Sequence, residues 1–334
     1  MVEEVARGIF RIEVPIPNNP LRVLNSYFIQ GYSRDLLIDT GFRNPVCQRA
    51  LDEGLQALHS DPARRDVLLT HLHSDHSGNA DLYAGPGRRI YISGTDLQYL
   101  REFVYGDILL RIRRRYIEEG MPLRIVEEAA AVNPADNQAL DQITDQFVAL
   151  QEGDVLTVGE YALETIVVPG HTPGNAIFLC RKQKILFSGD HVLFDITPNI
   201  TAWDGVEDTL GDYLDQLRRT RELSVELTLP GHRQTGVLHD RVDSLLDHHH
   251  RRLSEAFRII EESPGLTAFE ITAQMTWRIR SRNWDEFPIT QKWFAMGECL
   301  SHLDYLIRRG RIFRQEDRGA YRYYLGKAMN GVTD

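Results

Sequence analysis

The chain is poor in cysteine. Cys47, Cys180 and Cys299 lie far apart, no C-x-x-C pair occurs and the count is odd. A disulfide framework is therefore excluded as the basis of the fold, and a reducing, cytoplasmic setting is expected. Long apolar runs are missing too. None approaches about 18 residues, so no membrane-spanning helix is expected. The opening stretch MVEEVARGIFRIEVPIP is acidic, without a positive region ahead of an apolar block, so it does not read as a secretory signal. Positive charge is in deficit, with 38 Lys and Arg against 48 Asp and Glu and a formal net charge of −10. That balance disfavours non-specific attraction to nucleic acid by the chain as a whole. Repeats and low-complexity tracts are also lacking. At 334 residues, 42% apolar and 26% charged, the chain suits one large core with room for a second small domain.

The charge is uneven. Residues 251–334 hold 14 Lys and Arg against 11 Asp and Glu, leaving 24 against 37 in the remainder. Two bodies with different surfaces are indicated, and the small positive excess of the tail is weak support for a nucleic-acid partner. Residues 1–95 alternate short strands such as NSYFIQG and DLLIDTG with a helix over NPVCQRALDEGLQAL, where Pro45 stands near the start. From Asp96 to about Gln138 the spacing of Leu97, Leu100, Val104, Ile108, Ile112 and Tyr116 is helical, broken by Gly120 and Pro122. Strands return in YALETIVVPG, NAIFLCR and KILFSGD, and a helix over TLGDYLDQLRRTREL precedes the strand LTLPGH. The tail reads as three helices and a hairpin, the second helix opening on a capping box of Thr267 and Glu270. That order describes a winged helix.

What is abundant is histidine, and it is clustered. THLHSDHSGNA, residues 70–80, follows the apolar run Val67–Leu69 and places three histidines and an aspartate where a strand ends. In His71-x-His73 the two rings can point to one side of an extended segment. Asp75 and His76 follow as the chain turns. A metal ion demands ligands from separate loops, and His171 in VVPGHTPGN, Asp190 in LFSGDHV and His232 in TLPGHRQ each follow a strand beside a glycine. Imidazole and carboxylate suit borderline divalent metals such as zinc, iron or manganese.

The H-x-H-x-D-H loop, the isolated His, Asp and His after it, and LLIDTG before it together resemble the metallo-β-lactamase superfamily, over roughly residues 1–240. The resemblance implies an α/β fold, an αββα sandwich of two mixed sheets, here with a helical insertion over 96–146 that reads as a lid. The metallo-β-lactamase body is expected over 1–245 and the winged-helix domain over 246–334. It further implies that His71, His73 and His171 bind one metal ion and that Asp75, His76 and His232 bind a second. Asp190 would bridge both ions, and Asp39 would orient the histidine loop. The cofactor expected is two divalent ions, zinc foremost, with iron or manganese as alternatives. A hydroxide shared between the ions would attack the substrate, with Asp190 and Asp75 as the catalytic carboxylates and Asp75 managing a proton.

Within the superfamily, an exported zinc β-lactamase fits poorly because no export signal is read, and a di-iron oxygen reductase fits poorly because no flavin domain is read. The histidine loop is similar to that of glyoxalase II, and the tail resembles the β-lactamase-like protein 2 group, which includes thioesterase-like and RNA-cleaving hydrolases. The leading reading is a hydrolase of a small thioester or ester. The alternatives are an RNA phosphodiesterase of the endoribonuclease kind and, from another class, a DNA-binding regulator whose metal site is structural. His191 reads as a packing histidine before a substrate contact or proton shuttle. Arg111 and Arg114 in RIRRRY read as a solvated helix face before a contact for an anionic substrate. DHHHRR at 247–252 reads as surface helix. A small-molecule substrate is expected, nucleic acid is disfavoured, no membrane is expected, and the insertion or tail is suited to a homodimer contact.

Overall fold

The computed structural model describes residues 1–17, 19–133, 138–277 and 283–326. Strands β1 (Val2–Ala6), β2 (Ile9–Pro15), β3 (Val23–Ile29), β4 (Asp35–Ile38), β5 (Arg65–Leu68), β6 (Ile90–Ser93) and β7 (Phe147–Leu150) form a seven-stranded sheet in sequence order. The first four pair antiparallel and the last four parallel. Every residue of β4 and of β5 is buried, as expected of parallel strands covered on both faces. A second sheet of five strands has the order β12 (Leu227–Pro230), β11 (Ile185–Gly189), β10 (Ala176–Cys180), β9 (Tyr161–Val167), β8 (Val155–Val158). In it, β11 and β12 run parallel.

The two sheets share one apolar core. Ile9, Tyr27, Ile29, Leu36 and Leu68 of the first pack with Leu163, Phe178, Phe187 and Leu229 of the second, and the Tyr27 and Phe187 rings meet edge-on at 5.5 Å. This is the sandwich expected from the sequence. Its functional consequence is directional: β4, β5, β11 and β12 all deliver their carboxyl ends, where Asp39, the histidine loop, Asp190 and His232 begin. Ligand sites gather at such strand ends in α/β folds.

The described residues divide into two compact units. One comprises Met1–Gly106, Pro134–Pro198 and Gln216–Val242, and the other Asp107–Asn133, Asn199–Asp215 and Asp243–Asp334. The insertion is thus divided. Its helix α4 (Gly94–Tyr105), after α1 (Pro45–Ala57) and the short turns α2 (Ser74–Ser77) and α3 (Ala80–Tyr83), belongs with the sheets. Its helices α5 (Ile108–Glu118) and α6 (Leu123–Val132) group with the tail, where α6 packs against the helix Ile289–Arg308. The division at 242/243 falls just inside α8 (Leu238–Glu262), which follows α7 (Thr209–Arg221).

The second unit also holds α9 (Ala268–Gln274), α10 (Ile289–Arg308) and the antiparallel hairpin of β13 (Ile312–Asp317) and β14 (Ala320–Leu325). Thr267 caps α9 and Glu270 reaches back to its amide at 2.8 Å, completing the expected capping box. Glu119, at the end of α5, is fully buried. It accepts the Tyr323 hydroxyl at 2.7 Å and pairs with Arg314. Burial pushes its carboxyl up, and Arg314 and Tyr323 act in opposition.

The DHHHRR stretch is not all surface. His249 is fully buried and its Nδ1 lies 3.2 Å from His302 Nε2, while His302 Nδ1 donates to the Glu298 carbonyl at 2.7 Å. One turn of helix presents three successive histidines in three directions, so one of them faces inward. Burial pushes His302 down to about 3 and His249 well below its ordinary value, in the company of Arg252 and His248. The unfolded chain therefore binds protons on acidification that the folded chain refuses. Stability falls as pH drops from about 6.5 towards about 3, at up to about 1.4 kcal/mol per pH unit for each ring. In the variant His302→Asn, whose amide nitrogen overlays Nδ1, the loss of unfolding free energy between pH 7 and pH 5 should shrink by about 2 kcal/mol. Urea unfolding at the two pH values measures this, and an unchanged loss contradicts it.

Candidate metal centre

Asp39 stands first in the loop after β4, with a backbone φ of 59°. Positive φ is uncommon outside glycine, and aspartate tolerates it better than most residues. The turn aims its carboxylate at the histidine loop. Oδ1 accepts the Thr70 amide at 2.9 Å, and Oδ2 accepts the Thr70 hydroxyl at 2.8 Å. Oδ2 also lies 2.8 Å from His76 Nδ1. Thr70 Oγ1, having given its proton to Asp39, accepts from His71 Nδ1 at 3.0 Å. His232 Nδ1 donates to the Val23 carbonyl at 2.7 Å.

These outward bonds settle three tautomers. His71, His76 and His232 each give the Nδ1 proton outward and turn Nε2 inward, where it can ligate; on His76 and His232 a bound ion would take the place of an Nε2 proton. The inward atoms crowd one another. His71 Nε2 is 3.1 Å from His73 Nδ1, His73 Nδ1 is 3.0 Å from His171 Nε2, and His76 Nε2 is 3.3 Å from His232 Nε2. Asp190 reaches into both sets, 3.5 Å from His76 Nε2, 3.7 Å from His171 Nε2 and 3.5 Å from His232 Nε2. Asp75 Oδ2 lies 3.3 Å from His232 Nε2 and 3.8 Å from His76 Nε2.

Three donor groups result, each with ligand atoms within 4.8 Å of one another: His71, His73 and His171; His71, His76 and Asp190; Asp75, His76 and His232. All seven side chains expected from the sequence come together. His73 alone among them is only partly buried. Asp190 Oδ1 is buried and accepts no hydrogen bond among the described residues. A buried carboxylate oxygen without a partner is costly, and converging lone pairs repel; a divalent cation relieves both. The donor set fits such ions.

Electrostatics agree with the geometry. For His71, burial and then the neighbouring His76 hold the ring well below its ordinary range, and burial and His171 bring His73 down to about 3. These rings are lone-pair donors at neutral pH. Burial alone would raise Asp75 and Asp190, yet His76 and His232 outweigh it and leave Asp75 at about 2 and Asp190 lower still. Burial opposes charge on His76 and His232 as well, but Asp39, Asp190 and Asp75 lift His76, and Asp190 and Asp75 lift His232. Two anions thus demand positive charge among them, and metal binding would replace those protons.

Gly231 makes the packing possible. A Cβ there would stand 2.5 Å from Asp190 Oδ1 and 2.9 Å from His76 Cε1. His191 is fully buried with Nε2 2.9 Å from Thr220 Oγ1. Arg111 and Arg114 belong to the other unit, where Arg111 pairs with Asp107 and Asp204 and Arg114 with Glu118. Sequence reasoning missed the Val23 carbonyl and Asp96. The second stands in an ordinary helix start, and its partners are 24 to 78 residues away.

The sequence pattern of the Metallo-beta-lactamase superfamily matches residues 20–232, and that of the Metallo-beta-lactamase-like C-terminal domain matches residues 262–326. The chain is similar to the acyl-coenzyme A thioesterase MBLAC2 of Bos taurus, 30% identical over 244 residues that cover 68% of this chain and 79% of that one. It is 23% identical to the beta-lactamase-like protein 2 homolog of Caenorhabditis elegans over 84% of this chain and 81% of that one. A metallo-beta-lactamase family protein of Thermus thermophilus has the same fold at a TM-score of 0.82 and 25% identity, over 96% of this chain and 99% of that one.

Proposed function

The chain belongs to the metallo-beta-lactamase superfamily and is one of its hydrolases, and from that premise we propose that it cleaves small thioesters, acyl-coenzyme A foremost, with two divalent ions. His71, His73 and His171 would hold one ion, Asp75, His76 and His232 the other, and Asp190 would touch both. The observation that carries this reading is the convergence of these donors around one carboxylate with an unpartnered buried oxygen. The likeness to chains named acyl-coenzyme A thioesterase supports the substrate class. Zinc is the favoured metal, with iron or manganese as alternatives that accept the same ligands.

Bound divalent ions supply Lewis acidity and lower the pKa of water from 15.7 to about 7. The chain does the positioning. Asp39 keeps Nε2 of His76 turned inward directly and that of His71 through Thr70, and the Val23 carbonyl does so for His232. Asp75 Oδ2, an anion at neutral pH, is the atom we assign to receive the proton of the attacking water. A thiolate leaves with a pKa near about 8.5, so thioester cleavage asks for no strong general acid. The far more basic alkoxide expelled from RNA would.

The tail's three helices and hairpin suit a winged helix, but its arginines do not suit phosphate. Arg308 pairs with Glu207 at 2.7 Å, Arg309 with Asp208 at 2.7 Å and Arg322 with Asp317 at 3.0 Å, and Arg314 pairs with Glu119. Charges so neutralised release few counterions from a nucleic acid.

The test is turnover of an acyl-coenzyme A and acyl-glutathione panel beside cleavage of single-stranded RNA. Thioester turnover at least about 100-fold above the metal-free reaction is expected, and RNA cleavage with thioesters untouched would sink the reading. Gly231→Ala, which drives a methyl group into Asp190 and His76, should lower kcat/KM by about 100-fold, the scale of an ångström of misplacement at a reacting centre. Activity within a few-fold of wild type would show that the two loops can part without harm.

A further inference from the structure

We infer that Asp96 is a positioning residue that fastens the loop bearing His71 and His73 to the loop bearing His171. The inference rests on reading those three histidines as ligands of one ion. Asp96 lies in the first turn of α4 and is fully buried. Its Oδ2 accepts the amide of Leu72, the residue between His71 and His73, at 2.9 Å. The same oxygen accepts the hydroxyl of Thr172, next to His171, at 2.7 Å. Its Oδ1 accepts the Gly174 amide at 2.6 Å. Ser93, which caps α4 by accepting the Asp96 amide at 3.1 Å, donates its hydroxyl to the Gly174 carbonyl. A Cβ on Gly174 would stand 2.4 Å from the Asp96 amide nitrogen and 2.5 Å from Ser93 Oγ, so the approach of the two loops requires glycine there.

One carboxylate therefore joins a loop that leaves the first sheet after β5 to a loop between β9 and β10 of the second. Besides it, the Ala176 amide donates to the Thr70 carbonyl at 2.9 Å; Asp96 is the side chain that ties the residues flanking the imidazoles themselves. Asp39 plays the matching part for Thr70 and His76, so each donor group has its own buried carboxylate behind it. The carboxylate is needed as such. An amide offers a single acceptor atom. Aimed at Gly174, it would turn its NH2 towards two donors, the Leu72 amide and the Thr172 hydroxyl. Reversed, it would face the Gly174 amide with a donor. In either case a buried donor faces a donor, Leu72 in the first and Gly174 in the second, and the clamp loosens. Partners behind metal ligands of this kind are worth about 10–100-fold in metal affinity.

Cobalt(II) titration of the metal-free full chain, read by visible absorption against a competing chelator, tests the assignment without recourse to activity. Wild type should take two tight equivalents. Asp96→Asn should take one of them with wild-type affinity and the other about 10–100-fold more weakly, and Thr172→Val should shift the same equivalent by less. Two equivalents within threefold of wild type in folded Asp96→Asn would overturn the inference. If circular dichroism shows that variant unfolded, unchanged affinities in Thr172→Val would overturn it instead. Wild type taking fewer than two equivalents would remove the two-ion reading itself, a failure visible before any variant is compared.

Discussion

Asp190→Ala should lower kcat/KM for an acyl-coenzyme A by about 1,000-fold or more. Among the described residues, Asp190 is the carboxylate that reaches both donor groups: it lies 3.7 Å from His171 Nε2 on one side and 3.5 Å from His76 Nε2 and His232 Nε2 on the other. Its removal takes one of only two carboxylates from a set otherwise made of imidazoles, so the charge that offsets two dications is halved. The loss has two parts. Weaker metal binding contributes about 10–100-fold where the ion is not saturating. The remainder is lost Lewis-acid assistance, which persists when metal is added in excess. Measuring wild type and variant across a range of zinc concentrations separates the parts. A variant that recovers to within tenfold of wild type at high zinc would show that Asp190 serves binding alone.

Removing the metal should lower the midpoint of thermal unfolding by about 5–8 °C. His73 Nδ1 stands 3.1 Å from His71 Nε2 and 3.0 Å from His171 Nε2, a crowding of donors that a divalent ion relieves. A ligand that binds only the folded chain at 1,000 times its dissociation constant adds about 4 kcal/mol. For a chain of this size each kcal/mol moves the midpoint by about 2 °C. Scanning calorimetry before and after chelator treatment, with zinc restored as the control, measures the shift. A midpoint that does not move would mean that the donors are held apart by the scaffold and bind no ion strongly.

How legible the centre was in the sequence depended on distance along the chain. His71, His73, Asp75 and His76 share one loop, so residue type and spacing betray them. His171, Asp190 and His232 could be found because each follows a β-run beside a glycine, and Gly231 and Gly174 owe their presence to contacts a side chain would foul. The LLIDTG turn marked Asp39. Asp96 carried no such mark, since an acid in the first turn of a helix is ordinary and its partners lie far off in the chain. His249 misled for a related reason: it stands in a polar run read as surface helix, and it is fully buried against His302 of α10. The sandwich followed from the resemblance carried by the histidine loop and LLIDTG, strand patterning alone giving only the alternation of strands and helices. The grouping of α5 and α6 with the tail did not, because an amphipathic stripe declares that it must be covered and not by what.

Anomalous diffraction from crystals grown with zinc tests the central claim most directly. Two peaks are predicted, one about 2.0–2.1 Å from nitrogens of His71, His73 and His171 and one at the same distance from His76 and His232 with Asp75 beside it, Asp190 touching both. A single peak, or peaks that leave Asp190 without a metal contact, would contradict the two-ion centre on which the proposed hydrolysis depends.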